Sequence, residues 1–359
     1  MKLLTFNEAI LLSKSYDKKL LLLGNGFSIA CVPDIFTYSS LFERADFSLM
    51  PEIQKVFDFL KTKDFEEVIR ALEYTSKVLP AYLHNNATTS TLIQSHATQL
   101  KEILISTIAK NHPERPNSID EAKYVACIDF LNHFLDKDGV IYSLNYDLLL
   151  YWALMYGLNE GLLKVEPNDG FGKDIDFEDG QSSVSDYVIW QGDTNAFGQN
   201  IHYLHGALHL FEQGPNVEKF TWSNTGIPLI DQIREALQHD RFPLFVSEGD
   251  SPKKLSRITH SGYLYHSYKS FSVRMKSGKG KKTTSCLFIY GLSFSENDSH
   301  ILKKISLGWV SHLFISLFGD PNSETNKKII EAVELLRRRS KNPDIIIDYF
   351  DAQSARVWG

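Results

Sequence analysis

Residues 21–34 read Leu21-Leu22-Leu23-Gly24-Asn25-Gly26-Phe27-Ser28-Ile29-Ala30-Cys31-Val32-Pro33-Asp34. An apolar run that ends in two glycines one residue apart predicts a buried parallel strand, a tight turn and a helix. Neither glycine has a Cβ to hold the backbone away from a pyrophosphate, and the first amides of the helix can face phosphates. Ile29 stands where a third glycine would complete the dinucleotide fingerprint, so a turn without a ligand is the competing reading.

Outward from this stretch, apolar runs recur at 19–23, 139–144, 201–204, 243–246, 286–290, 313–317 and 344–349, with helical spacing between them. Their apolarity is continuous rather than alternating, which predicts strands covered on both faces. The expected fold class is α/β, a doubly wound parallel Rossmann-like sheet. Sites in such sheets form at the carboxyl ends of the strands, so the residues just after each run carry the most weight.

Region 46–137 has no comparable strand. Asp64 precedes Phe65-Glu66-Glu67-Val68-Ile69-Arg70-Ala71-Leu72 as an N-cap, and further helices are expected at about 89–109 and 120–135. We read 46–137 as a helical insertion subdomain placed to cover a cleft, with 1–45 and 138–359 forming the main domain. The acidic, glycine-containing run 166–186 reads as a solvated loop, and the basic run 276–282 as an exposed hairpin, since a P-loop would follow its strand rather than precede it.

With 43% hydrophobic residues, 23% charged residues and a net charge of −6, the chain lacks the positive field that a phosphate backbone rewards, and no nucleic-acid partner is expected. Cys31, Cys127 and Cys286 are odd in number and far apart, which disfavours a disulfide framework and structural zinc and suits a cytoplasmic location. No apolar run reaches the roughly 20 residues that span a bilayer. No membrane association and no signal peptide are expected.

Four strand ends carry residues able to build one site: Gly24-Asn25-Gly26-Phe27-Ser28, Asn145-Tyr146-Asp147, His205-Gly206 and Gly291-Leu292-Ser293. Taken singly, each has a structural explanation, Asn145 to Asp147 as a helix cap and His205 as a turn histidine. Together, and in this order, they resemble sirtuins. The first, with Pro33-Asp34, is similar to the sirtuin Gly-Ala-Gly-x-Ser…Pro-Asp signature, one residue shorter; the others resemble its Asn-Ile-Asp, His-Gly and Gly-Thr-Ser segments. The patterns Tyr-x-Leu-His-Gly and Gly-x-Ser-Phe-x-x-Asn-Asp, with the tail 348–358, resemble more closely the sirtuin-like domains of bacterial anti-phage effectors, those of the Kongming defence type in particular. Two features depart from protein deacylases. No cysteine lies between His205 and Cys286, so there is no zinc ribbon, and Phe36 stands where the sirtuin Pro-Asp-Phe-Arg has its arginine.

The resemblance implies an NAD⁺ glycohydrolase, with NAD⁺ as substrate, that releases nicotinamide and ADP-ribose and depletes the cell of NAD⁺ in abortive anti-phage defence. It implies Asn145 and His205 as catalytic residues, Asn145 at the reacting ribose or its water and His205 as general base. Gly24, Gly26 and Ser28 would hold the pyrophosphate, Asp147 and Asp34 the nicotinamide end, and Ser293 the adenosine side; Asn25, Phe27 and Gly291 complete the cofactor-binding set. It further implies an oligomer or hetero-complex with a regulatory partner, in the Kongming-like case one similar to inosine-triphosphate pyrophosphatase. The alternatives are a non-catalytic NAD or ADP-ribose sensor and an ADP-ribosyl or deacyl transferase.

No metal is expected. His202 and His205 point to opposite faces of an extended segment, and Gly206 interrupts the strand before His209. Tyr263, Tyr265 and Tyr268 have the spacing of a core-facing helical stripe rather than a ligand wall.

Overall fold

The computed structural model describes residues 3–83, 87–135, 139–172, 187–192, 198–221, 227–276 and 284–359. Among these described residues ten strands follow in chain order: β1 (Lys18–Leu23), β2 (Val140–Ser143), β3 (Phe171–Gly172), β4 (Tyr187–Trp190), β5 (Ile201–Tyr203), β6 (Leu210–Gln213), β7 (Asn216–Phe220), β8 (Ser285–Tyr290), β9 (His312–Leu317) and β10 (Ile346–Asp351). Six form one sheet in the order β10-β9-β8-β1-β2-β5, and every pairing in it is parallel. The other four form a small antiparallel sheet in the order β3-β4-β7-β6.

The leucine run explains the centre of the large sheet. Leu20 to Leu23 are buried, and β1 has a parallel neighbour on each side, so its residues need apolar partners on both faces. The chain builds β2 and β5 on one side of β1, then crosses back to lay β8, β9 and β10 on the other. The strand order therefore reverses between β1 and β8, where open parallel sheets form ligand crevices.

Region 46–137 carries helices and no strand among the described residues. Helices span Pro51–Leu60, Phe65–Tyr82, Ala87–Asn111 and Glu121–Leu131. Asp64 caps the second, accepting from the Glu66 amide at 2.9 Å and the Glu67 amide at 3.4 Å. Ile53, Phe57, Phe65, Leu100 and Ile105 belong to the same buried cluster as Leu20 to Leu23, so these helices pack on the core of the sheet.

The run 243–246 is not a strand of the parallel sheet. Gly206, at φ +78°, turns the chain after β5, and residues 244–246 lie antiparallel to the segment after that turn. Ala207 donates to the Leu244 carbonyl at 3.1 Å and Val246 to the His205 carbonyl at 3.0 Å. A Cβ on Gly206 would stand 1.9 Å from the Leu244 oxygen, so glycine is required. Of the acidic run, residues 173–186 lie outside the described residues, as do 277–282 of the basic run.

Candidate functional site

At the carboxyl ends of the parallel strands lies a cleft of about 900 Å³. Eight of the eleven expected residues line it: Gly24, Asn25, Gly26, Asn145, Asp147, His205, Gly291 and Ser293. Phe27 and Ser28 are buried behind it, and Asp34 is exposed outside the lining. Phe27 packs on Trp358 with ring centroids 5.1 Å apart, and its carbonyl accepts from the Trp358 indole at 2.9 Å, which ties the end of the chain to the glycine turn.

The glycines perform a task the phosphate reading did not foresee. The turn after β1 crosses the turn after β8 so closely that a Cβ on Gly24 would lie 2.6 Å from the Gly291 oxygen, and one on Gly26 2.5 Å from the Gly291 Cα. Both amides are spent in this crossing: Gly24 donates to Tyr290 and Gly26 to Gly291, each at 2.9 Å. They are not free to cradle a pyrophosphate. The Phe27 and Ser28 amides point back to Gly24 and Asn25, leaving the Asn25 amide as the donor of this turn without a partner among the described residues.

Ser28 also differs from its expected role. Its hydroxyl donates to Asp147 Oδ2 at 2.5 Å and accepts from Asn145 Nδ2 at 2.9 Å. Asp147 Oδ1 accepts from the Leu149 amide at 2.9 Å. Burial raises the Asp147 carboxyl above its ordinary range, against the lowering effect of the Ser28 hydrogen bond. Because the carboxamide spends its NH₂ on Ser28, the Asn145 oxygen is left to accept from a ligand hydroxyl or a water.

The second group surrounds His205 and is ionic. Lys254, 1% exposed at its side chain, places its ammonium 2.8 Å from Glu66 Oε2 and 3.1 Å from Asp298 Oδ1. His205 Nε2 lies 3.0 Å from His300 Nε2 and 4.0 Å from the same Asp298 oxygen. Burial alone would lower the Lys254 pKa, but Glu66 and Asp298 lift it above the ordinary lysine value. Burial alone would raise Asp298, but Lys254 and the two histidines hold it low. Glu66 is raised by burial, which outweighs Lys254; of the two carboxylates it is the one that takes a proton first. His205 is held well below the usual histidine value by burial and by Lys254, so it is a neutral imidazole at pH 7.

His205, His300 and Asp298 bring three ligand atoms within 4.8 Å of one another. The Asp298 oxygen nearest His205 is also the one paired with the Lys254 ammonium.

The sequence matches, over residues 21–358, a family described as Domain of unknown function (DUF4917). The chain belongs to the DUF4917 family. No curated protein matches it. The DUF4917 match begins inside β1 and ends at Trp358, so it takes in the glycine crossing, both polar groups and the indole that anchors the tail.

Within this DUF4917 domain His202 and His209 stand apart from the cleft. His202 packs against Tyr142 and reaches Ser267 and Ser270, while His209 stacks on Tyr151. Tyr263 and Tyr268 are buried and Tyr265 is exposed, and none of the three lines the cleft. Sequence reasoning gave no role to Glu66, Ser251, Lys254, Asp298 or His300. Asn297 and Asp298 do close the Gly-x-Ser-Phe-x-x-Asn-Asp pattern, and that spacing was the available signal.

Proposed function

We propose that this protein is an NAD⁺ glycohydrolase of sirtuin-like type, acting on the nicotinamide–ribose bond. The observation that carries the reading is convergence: Asn145 and His205 follow different strands, yet line one cleft beside the β1/β8 reversal. An amide oxygen and a neutral imidazole are the groups needed to hold a ribose hydroxyl or a water and to accept its proton. In the proposed reaction, water attacks the anomeric carbon of the ribose, the C–N bond electrons leave with nicotinamide as a neutral base, and His205 takes the proton of the water. The products are nicotinamide, ADP-ribose and a proton.

The buried Lys254–Asp298 pair adds a fixed field beside the imidazole, and the Ser28–Asp147 bond fixes Asn145. Asp147, with both oxygens engaged, acts in this scheme by holding Asn145 through Ser28. The resemblance to anti-phage effectors supports a role in NAD⁺ depletion during defence, activated through a partner or ligand, with a nucleotide-sensing protein as the regulatory partner. The three buried free cysteines suit a cytoplasmic setting, and among the described residues no helix is long and apolar enough to cross a membrane.

One observation favours a second reading, ligand sensing without turnover: burial leaves His205 a weak base. Chromatography of nicotinamide and ADP-ribose after incubation with NAD⁺ separates the two. Asn145→Ala and His205→Ala should each lower release by about 10²- to 10⁴-fold with retained folding. NAD⁺ binding without release supports sensing, and undiminished release in both variants removes these residues from the mechanism.

A further inference from the structure

His205 cannot set its own ring orientation or choose which nitrogen carries its proton; the hydrogen bond made by the other nitrogen decides this. Its Nε2 faces His300 Nε2 at 3.0 Å, a gap that holds one proton, so one ring donates and the other accepts. His300 is itself fixed from behind. Ser251 Oγ accepts the His300 amide at 2.7 Å and lies 3.1 Å from His300 Nδ1, and Tyr268 donates to the His300 carbonyl at 3.1 Å. Where His205 presents Nδ1 as a base its own proton stands on Nε2, which calls for an acceptor at His300 Nε2 and places the proton of His300 on Nδ1, facing Ser251 Oγ. His300 Nε2 is then a lone pair, His205 donates its Nε2–H to it, and the lone pair of His205 falls on Nδ1.

We propose that His300, held by Ser251, is the positioning residue of His205: it fixes the tautomer that leaves Nδ1 of His205 as the basic nitrogen available to the cleft. The proposal rests on the reading of His205 as the general base of the hydrolysis. The groups facing His205 are His300 and Asp298 from the segment after β8, Lys254 from helix Ser251–His260, and the Tyr146 ring, whose centroid is 6.5 Å away, from the turn after β2. Glu66, from helix Phe65–Tyr82, acts on it through Lys254. Among these, His300 alone makes a hydrogen bond to the His205 ring among the described residues. The other charges set its field but do not orient it.

The test compares wild type, His300→Ala and His300→Gln in two measurements. In ¹⁵N-histidine NMR, wild type and His300→Gln should show a single His205 tautomer and His300→Ala a mixture; a single unchanged tautomer in His300→Ala overturns the proposal. In nicotinamide release, His300→Ala should lose up to about 100-fold, with glutamine restoring part of the rate through its side-chain oxygen. The acid limb of the rate profile should move to higher pH in His300→Ala, since removal of His300 relieves both burial and cationic repulsion at His205. A loss that glutamine does not rescue, with the acid limb unmoved, marks a merely structural residue and also overturns it. If wild type releases no nicotinamide, the hydrolase reading fails, and the NMR measurement still decides the positioning role.

Discussion

The cleft holds two buried polar groups of different construction, and the contrast between them is instructive. Ser28, Asn145 and Asp147 come from the turns after β1 and β2, adjacent strands, and make a compact network with one carboxyl and no cation. His205, Lys254, Glu66 and the neighbours Asp298 and His300 come from four separate places in the chain and balance an ammonium against two carboxylates. The first group positions an amide through short hydrogen bonds. The second keeps an imidazole neutral inside a fixed field. Losing a partner in the first leaves an unsatisfied dipole, whereas losing one in the second leaves an unsatisfied charge.

That difference orders the effects of substitution. Lys254→Met should be the most damaging to stability, at about 3–5 kcal/mol, because it strands Asp298 and Glu66 in the interior; chemical denaturation measures it. Ser28→Ala should cost less, about 1–3 kcal/mol, while lowering nicotinamide release as Asn145 loses its acceptor. Equal losses from the two substitutions would erase the distinction between the groups. The smallest expected effect is in pH dependence. Burial depresses His300 to about 4, so below the unfolded value of about 6.5 the unfolded chain binds the extra proton, and stability is lost as pH falls toward 4. Acidification from pH 7 to 5 should therefore cost wild type more than His300→Gln, by at most about 1.4 kcal/mol per pH unit. Asp147 has the opposite sign: its raised carboxyl takes up a proton in the folded state first, which relieves a burial cost on acidification. Over the same range wild type should lose less stability than Asp147→Asn. Thermal melts at the two pH values check both comparisons.

The same contrast explains what the sequence disclosed. Leu20 to Leu23 are apolar because strands lie on both sides of them, and that pattern is local enough to read directly. The ends of β1, β2, β5 and β8 were legible for the same reason, since a strand delivers its next residues to the crevice. Glycine alone does not distinguish close approach to a phosphate from close approach to another turn; Gly24 and Gly26 face Gly291. Lys254 carries no local signal of burial, because its partner Glu66 stands 188 residues earlier in the chain. His300 likewise gains its meaning from a ring 95 residues away. The small antiparallel sheet escaped notice because its strands are short and β4 is only half-buried, which weakens the apolar signal.

The central claim is that one cleft binds NAD⁺ and that Asn145 and His205 act on its glycosidic bond. The most direct measurement is calorimetric binding of ADP-ribose alongside nicotinamide release, with EDTA present, for wild type, Asn145→Ala and His205→Ala. The account predicts that all three bind ADP-ribose and that wild type alone hydrolyses NAD⁺ at an appreciable rate. Absence of ADP-ribose and NAD⁺ binding to wild type at millimolar concentration, or full hydrolysis by both variants, would contradict it.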